Sequence, residues 1–374
     1  MKNNKNILNI LCISDLHFGK KNDTKLSSDL QTYFIDEIPN IIEEYGNIGM
    51  IIICGDLFDR ILKMNEPSSK LVIKFIEQLC ELSAKYKFYL RLVKGTMSHD
   101  YSQLNNFNYF EVRYPLFKII QKVDEEIINY NNHTVSILYL PEEYPENYDK
   151  YYSKYLKRKY DFIFGHGMID FVAYTGNEEI KKKLKRNDAV HKAEVLDEIC
   201  KYFCIFGHIH QFNNYKDMDK IMYTGSFERF TFDKSDQDEK GYLLLRADLK
   251  TDETEVYFYE NENASTYEII DLALLDFKNT EDKLKYVEQQ KEKYDYIKLL
   301  VPEDEENKDL LKSVISSDIK VQINNTIKDD VLDERYRFLL ERTLPINESI
   351  SKYISLTFNK EIDPILISQM IAKT

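Results

Sequence analysis

No apolar run in this chain of 374 residues reaches the roughly 18 residues that a membrane-spanning helix needs. The first stretch, MKNNKNILNI, has neither a long apolar core nor a small-residue cleavage site. No secretion signal is read there, and a cytoplasmic protein without membrane attachment is expected. Cysteine is scarce, five residues in all. Cys12, Cys54 and Cys204 lie inside apolar strand-like runs, with Cys200 just before the last. Reduced, buried thiols are expected, not bridges or metal ligands. Positive charge is short too: 51 Lys and Arg against 64 Asp and Glu leave a net charge of −13. That balance argues against broad electrostatic capture of nucleic acid. It leaves room for a local groove whose metal ions supply positive charge. Internal repeats and low-complexity tracts are absent as well.

What is present is a folded chain. Hydrophobic residues make up 43% and aromatic residues 13%, enough for a core, and the length allows two or three domains of about 150 residues each. Residues 51–54 are Ile-Ile-Ile-Cys, without alternation, as in a strand covered on both faces. Gly55 ends the run and Asp56 follows. A bare carboxylate at the tip of a buried strand needs a partner, and a metal ion is one. The same pattern recurs. Strand 7–14 leads to Asp15 and His17, strand 88–93 to His99 and Asp100, strand 160–164 to His166, and strand 202–206 to His208 and His210. Asp15 and His17, two apart at a strand end, point the same way if the chain stays extended.

Between these strands the spacing predicts a helix over 26–45, with Pro39 as a kink or break. A second helix opens at Pro67-Ser68-Ser69 with a serine as its cap. Further helical stretches are read near 103–122 and 194–201, a strand at 133–140, and a closing strand pair at 221–226 and 241–247. Residues 141–160, rich in Tyr, Glu and Lys, read as a surface loop or helix. Strands alternating with helices mark a layered α/β domain. Beyond about 250 the ligand-type residues stop. Strand 254–260, helix 280–292, strand 294–301, helix 305–316 and strand 318–324 suggest a small α/β domain, and the last 45 residues read as short amphipathic helices.

Five of the seven histidines fall at strand ends beside Gly or Asp; His133 and His191 do not and read as structural or solvated. Imidazole with carboxylate and no thiolate suits manganese, iron or zinc. Two ions sharing a bridging carboxylate suit phosphoryl transfer, because they generate a nucleophile and stabilise the attacking and leaving oxygens.

Asp15-x-His17, Gly55-Asp56-x-x-Asp59, Gly-x-x-x-His99-Asp100, Gly165-His166 and Gly207-His208-x-His210, in that order, resemble the calcineurin-like metallophosphoesterases. A narrower resemblance lies in Gly225-Ser226-Phe227-Glu228-Arg229-Phe230, an acidic loop, and Lys240-Gly241-Tyr242-Leu243-Leu244-Leu245. This looks like the segment after the last ligand motif in SbcD-type DNA repair exonucleases. The resemblance implies a four-layer αββα sandwich over 1–247, a small α/β capping domain that binds DNA over 248–325, and C-terminal helices over 326–374 that dock the partner. It implies two Mn²⁺ per chain, with Asp15, His17 and His210 on one ion, His166 and His208 on the other, and Asp56 bridging. His99 would act at the scissile phosphate, with Asp100 orienting it, while Asp59 supports its loop. The activities implied are 3′-to-5′ double-strand exonuclease and single-strand endonuclease. The partners implied are DNA, an SbcC-like coiled-coil ATPase, and a second copy of the chain through helices near 68–85 and 103–122.

One departure concerns the Gly-Asn-His element of that family. Here the segment runs Gly95-Thr96-Met97-Ser98-His99-Asp100, two residues longer, with Ser98 where the asparagine ligand is expected. A hydroxyl is a weaker ligand than an amide oxygen and acts directly or through water, unless Asn105 or Asn106 folds back. The basic run Lys181–Arg186 reads as a solvated helix face or a track for a DNA backbone. Two rival readings remain: a phosphatase or cyclic phosphodiesterase of small substrates, and a weakened scaffold that docks an ATPase.

Overall fold

The computed structural model describes residues 5–20, 22–170, 190–215, 218–233, 236–272, 274–275, 279–302, 319–324 and 351. The chain divides into two compact units at Tyr267 and Glu268. In chain order the strands of the first unit begin with β1 Ile7–Ile13, β2 Met50–Cys54, β3 Tyr89–Val93 and β4 Phe117–Ile120. Next come β5 Asp124–Tyr130, β6 His133–Leu140, β7 Tyr160–His166, and the short β8 Met168–Ile169 and β9 Val190–His191. Then follow β10 Cys200–Gly207, β11 Asn213–Tyr215, β12 Met218–Tyr223, β13 Gly241–Asp248 and β14 Thr254–Glu260.

Two six-stranded sheets result, in the orders β14-β13-β1-β2-β3-β4 and β11-β12-β10-β7-β6-β5. Side-chain alternation explains their stacking. Leu8, Ile10 and Cys12 of β1 and Met50, Ile52 and Cys54 of β2 share one core with Val135, Ile137 and Tyr139 of β6 and Phe162 and Phe164 of β7. The intervening residues Leu11, Ile13, Ile51 and Ile53 pack with Phe75, Ile76 and Leu79 of the helix Pro67–Tyr86. On the far face of the other sheet, Ile163 and Cys204 pack with Tyr152 and Leu196 of the helices Tyr148–Tyr152 and Ala193–Ile199. The layers are therefore helix, sheet, sheet, helix, as the sequence led one to expect. Arg91 of β3 spans the two sheets, giving Nη2 to Glu126 Oε1 of β5 at 2.7 Å and Nε to Oε2 at 2.8 Å. All five cysteines are free and buried.

Several elements differ from expectation for physical reasons. The break in the first helical stretch is a π-helical turn, Gln31–Ile35, in which Asp36 N–H donates to Gln31 O at 2.9 Å. The next helix starts at Glu37, so Pro39 falls in its first turn, where the missing N–H had no intrahelical partner anyway. In the following helix Pro67 is the first residue and Glu66 the cap, with no side-chain capping bond, so neither serine caps it. The stretch near 103–122 is helical as a 3-10 turn over Gln103–Phe107 and an α-helix over Asn108–Arg113, and no further. Tyr114, held extended by Pro115, ends it, and β4 follows. The expected strand pair near 221–226 and 241–247 is not a pair: β12 runs parallel to β10 and β13 antiparallel to β1, in different sheets. The strand expected at 254–260 in the following domain is β14, hydrogen-bonded to β13 along its length. The sheet therefore extends past residue 247.

The second unit contains all but the first residue of β15 Tyr267–Asp271, with β16 Tyr296–Pro302 and β17 Ile319–Asn324, in the order β15-β16-β17, and the helix Thr280–Lys291. Its core holds Ile270, Leu272, Val287, Ile297, Leu299 and Val301. The basic run 181–186, the expected helix 305–316 and almost all of the expected C-terminal helices lie outside the described residues. Among the described residues no helix is long and apolar enough to cross a membrane.

Candidate metal centre

Strands β1, β2 and β3 are parallel to one another, as are β6, β7, β10 and β12. Their C-terminal ends meet at one rim of the sandwich. The loops leaving those ends carry the ligand-type residues, and the backbone there is strained. Asp15, His17, Asp56 and His208 adopt φ of 53°, 48°, 48° and 98°, a region that non-glycine residues seldom enter outside functional sites. Gly55 is required at its position. Its φ is 86°, and a Cβ there would lie 2.3 Å from His166 Nδ1.

Two groups of donors face each other. In the first, His17 Nε2 lies 3.0 Å from His210 Nε2, and His210 Nε2 lies 4.0 Å from Asp15 Oδ1. In the second, His166 Nε2 lies 3.3 Å from Asp56 Oδ1, and His208 completes the group. Asp56 serves both: its Oδ2 is 3.8 Å from His17 Nε2 while its Oδ1 faces His166. The six residues expected to hold metal lie together at this rim, with Asp56 between the two sets; His17 also groups with Asp59 and His99.

A backbone carbonyl fixes one ring, and carboxylates stand behind two others. His166 Nδ1 pairs with Cys54 O at 2.7 Å, which aims Nε2 at Asp56. Asp59 Oδ1 stands 3.5 Å from His17 Nδ1, and Asp236 Oδ1 3.7 Å from His210 Nδ1. Carboxylates behind ligating histidines commonly set their tautomer and orientation. Burial and the facing His210 push the His17 imidazole well below its ordinary range, so it stays neutral with a lone pair to offer. Burial opposes charge on both members of the other pair. The attraction between Asp56 and His166 prevails, holding the carboxyl far below its usual range and His166 well above its own.

His99 sits beside His17, with ring centroids 4.9 Å apart and its Nδ1 buried without a hydrogen-bond partner. Asp100 does not reach it. Its carboxylate accepts from Gly95 N at 2.7 Å and Phe58 N at 3.1 Å, tying two loops together. Burial and the nearby Asp56 raise the Asp100 carboxyl to about 7. Ser98 is exposed. The hydroxyl at the second group is that of Thr96, whose N–H donates to Asp56 Oδ1 at 2.6 Å and whose Oγ1 lies 3.4 Å from His166 Nε2. Asn105 is engaged elsewhere, accepting from Gln121 at 2.8 Å. Of the two histidines set aside, His133 pairs with Asn6 Oδ1 at 3.1 Å, and His191 is buried against Tyr148, Tyr152 and Phe206.

Two carboxylates, Glu142 and Asp236, escaped the sequence reading. Glu142, two residues past β6, is buried with Oε2 at 3.7 Å from His166 Nε2 and 3.6 Å from His208 Nδ1. Asp236 and Lys240 form a buried pair behind His210. Glu142 follows an apolar strand, the same signal that marked the other ligands; the Tyr-rich, acidic segment after it obscured the match.

The chain matches the family model described as calcineurin-like phosphoesterase over residues 8–313. It belongs to that family. The family binds divalent metals and hydrolyses phosphoesters, and the residues here fit a pair of such ions. The donors are imidazole nitrogen and carboxylate oxygen without thiolate. Three buried carboxylates, Asp15, Asp56 and Glu142, converge on the imidazoles of His17, His166, His208 and His210, and buried carboxylates gathered so closely call for a cation. Among solved structures, Vps29 complexed with zinc from Entamoeba histolytica is 11% identical, with 68% of this chain and 100% of that chain covered and a TM-score of 0.27. Vacuolar Protein Sorting 29 from Cryptosporidium parvum is 13% identical, with 68% and 97% covered and a TM-score of 0.28. No curated protein matches the chain.

Proposed function

We propose that this phosphoesterase is a manganese-dependent DNA nuclease of SbcD type, the hydrolytic subunit of a complex with an SbcC-like coiled-coil ATPase. The observation that carries hydrolysis is the division of Asp56 between the two donor groups, one oxygen toward His17 and the other toward His166. When bound, a pair of divalent ions there supplies a nucleophile at neutral pH and neutralises charge on a phosphodiester. The chain's own part is positional. Cys54 O holds His166 in orientation, Asp59 and Asp236 stand behind His17 and His210, and the strained loops set the separation of the two groups. His99, at the edge of His17, stabilises charge at the scissile phosphate or protonates the leaving oxygen.

DNA as substrate is supported by the segment from Gly225 to Leu245. Ser226 N–H donates to His210 O at 3.1 Å, and Lys240 Nζ donates to the same carbonyl at 2.7 Å. The motif that resembles the nucleases therefore supports the last ligand loop directly. Dimer formation is proposed through the helices Pro67–Tyr86 and Asn108–Arg113; Val112 on the latter is 87% exposed. The small second unit is proposed to contact DNA, and residues 326–374 to dock the ATPase.

Cleavage of an end-labelled linear duplex with manganese, magnesium or EDTA tests the reading, beside His99→Ala. Manganese-dependent cleavage that is lost in the variant, with metal content unchanged, is expected. Hydrolysis of bis(p-nitrophenyl) phosphate with no cleavage of any DNA, alone or with its ATPase, would overturn the nuclease in favour of a small-substrate phosphodiesterase.

A further inference from the structure

With Asp56 counted on both sides, the recognised motifs give four donors to the first group and three to the second. Asp56, His166 and His208 converge there. Neither Ser98, which is exposed, nor Asn105, which pairs with Gln121, takes the place of a fourth donor. What stands there instead is a carboxylate from a different loop. Glu142 is 7% exposed, although it leaves β6 in a segment rich in charge. A carboxylate is buried at such a place only if something compensates it. Its Oε1 accepts from the Tyr144 hydroxyl. Its Oε2 accepts from Thr96 Oγ1 at 2.8 Å and faces His166 Nε2 at 3.7 Å and His208 Nδ1 at 3.6 Å. One oxygen is thus anchored at the back, and the other is aimed at the point that both ring nitrogens face.

We propose that Glu142 is a ligand of the second metal ion, supplied by the loop after β6, and that Thr96 positions it. The inference rests on the two-ion reading of the site. Thr96 and Glu142 are the two candidates for the remaining donor, and charge decides between them. A carboxylate oxygen neutralises a divalent cation, whereas a neutral hydroxyl does not and binds weakly. The Thr96 hydroxyl is moreover committed to the carboxylates, at 2.8 Å from Glu142 and 3.2 Å from Asp56 Oδ2. Asp56 and Glu142 then give the second ion two carboxylates with two imidazoles, a harder donor set than one completed by an amide and suited to manganese.

The test is metal binding, read without turnover. Metal-stripped protein is titrated with Mn²⁺ by calorimetry, with stoichiometry from elemental analysis and spin coupling of the two ions from electron paramagnetic resonance. The variants are Glu142→Leu, Glu142→Gln and Thr96→Val, each checked for native circular dichroism. Wild type should bind two ions per chain with a coupled spectrum. Glu142→Leu should keep the ion held by Asp15, His17 and His210, bind the second at least about 100-fold more weakly, and lose the coupling. Glu142→Gln, whose amide oxygen is neutral, should weaken it about tenfold. Thr96→Val should weaken it less than Glu142→Leu does. Two tight, coupled ions in Glu142→Leu would overturn the proposal while leaving the two-ion site intact. A larger loss in Thr96→Val than in Glu142→Leu would overturn it in favour of the hydroxyl. Wild-type protein that binds no Mn²⁺ would overturn the proposal together with the reading beneath it.

Discussion

Lys240 Nζ lies 2.9 Å from Asp236 Oδ1, an ion pair four residues apart and buried on both sides. Asp236 also accepts from Phe230 N and Thr231 N through Oδ2, each at 2.7 Å, and stands behind His210. Burial works against the Asp236 charge, but His210 and Lys240 outweigh it and hold the carboxyl well below its ordinary range. A buried pair gives modest net stability over an apolar replacement, yet removing one partner leaves an uncompensated charge, at a cost of about 3–5 kcal/mol. Lys240→Met should therefore destabilise the fold by about that amount, measured by urea unfolding. Asp236→Asn should in addition weaken binding at the His210 ion about 10- to 100-fold, because the support of His210 changes. An unfolding curve for Lys240→Met that matches wild type would remove the pair from this role.

The bridging role of Asp56 makes a prediction about stoichiometry. If each oxygen serves a different ion, Asp56→Ala should lose both ions together, and bound manganese should fall from two per chain toward none. Loss of one ion with the other retained at wild-type affinity would assign Asp56 to a single site, despite the 3.8 Å and 3.3 Å approaches to His17 and His166.

Gly55 links backbone geometry to the site. A Cβ there meets His166 Nδ1 at 2.3 Å and Gly95 Cα at 2.8 Å. Alanine also pays about 1–2 kcal/mol for the left-handed backbone. Gly55→Ala should displace the His166 ring from Cys54 O, lower stability by at least that amount, and weaken the second ion more than the first. Selective loss of the first ion would mean that strain at Gly55 travels elsewhere.

How much of this was legible in the sequence follows from where each residue sits on its strand. Asp15, His17, Asp56, His166, His208 and His210 all follow uninterrupted apolar runs, and parallel strands of a sandwich must bring such ends to one rim. The loop after β3 misleads when position is counted back from His99, which gives Ser98. Counted forward from the end of β3 at Val93, the chain reaches Gly95 and Thr96, whose N–H and hydroxyl both face Asp56. Asp100 follows His99 directly, but neighbours along a turn diverge, and its carboxylate accepts from Gly95 N and Phe58 N instead. β4 was hidden because Phe117, Ile119 and Ile120 fit either period over so short a run. The separate sheets of β12 and β13 are not legible in the sequence, because nothing local shows that the chain between them passes from one sheet to the other.

His191 makes the acid response of the fold testable apart from the metal ligands. Its ring is buried, Nδ1 pairs with the Tyr148 hydroxyl at 2.6 Å, and burial lowers its pKa from the ordinary 6.5 to about 4. The unfolded chain protonates this histidine below about 6.5, whereas the folded chain keeps it neutral until about 4. Between those values the unfolded state binds more protons, so stability must fall as pH falls. A shift of that size corresponds to at most about 3 kcal/mol, fully present above the upper pKa and lost by the lower one. Urea unfolding in EDTA from pH 7.5 to 4, for wild type and His191→Gln, isolates this contribution, since every other group is common to both. The variant should be less stable at pH 7.5, and its stability should decline less steeply between pH 6.5 and 4. Parallel curves would show that the buried ring accepts a proton in the folded state, with Tyr148 accepting the resulting hydrogen bond.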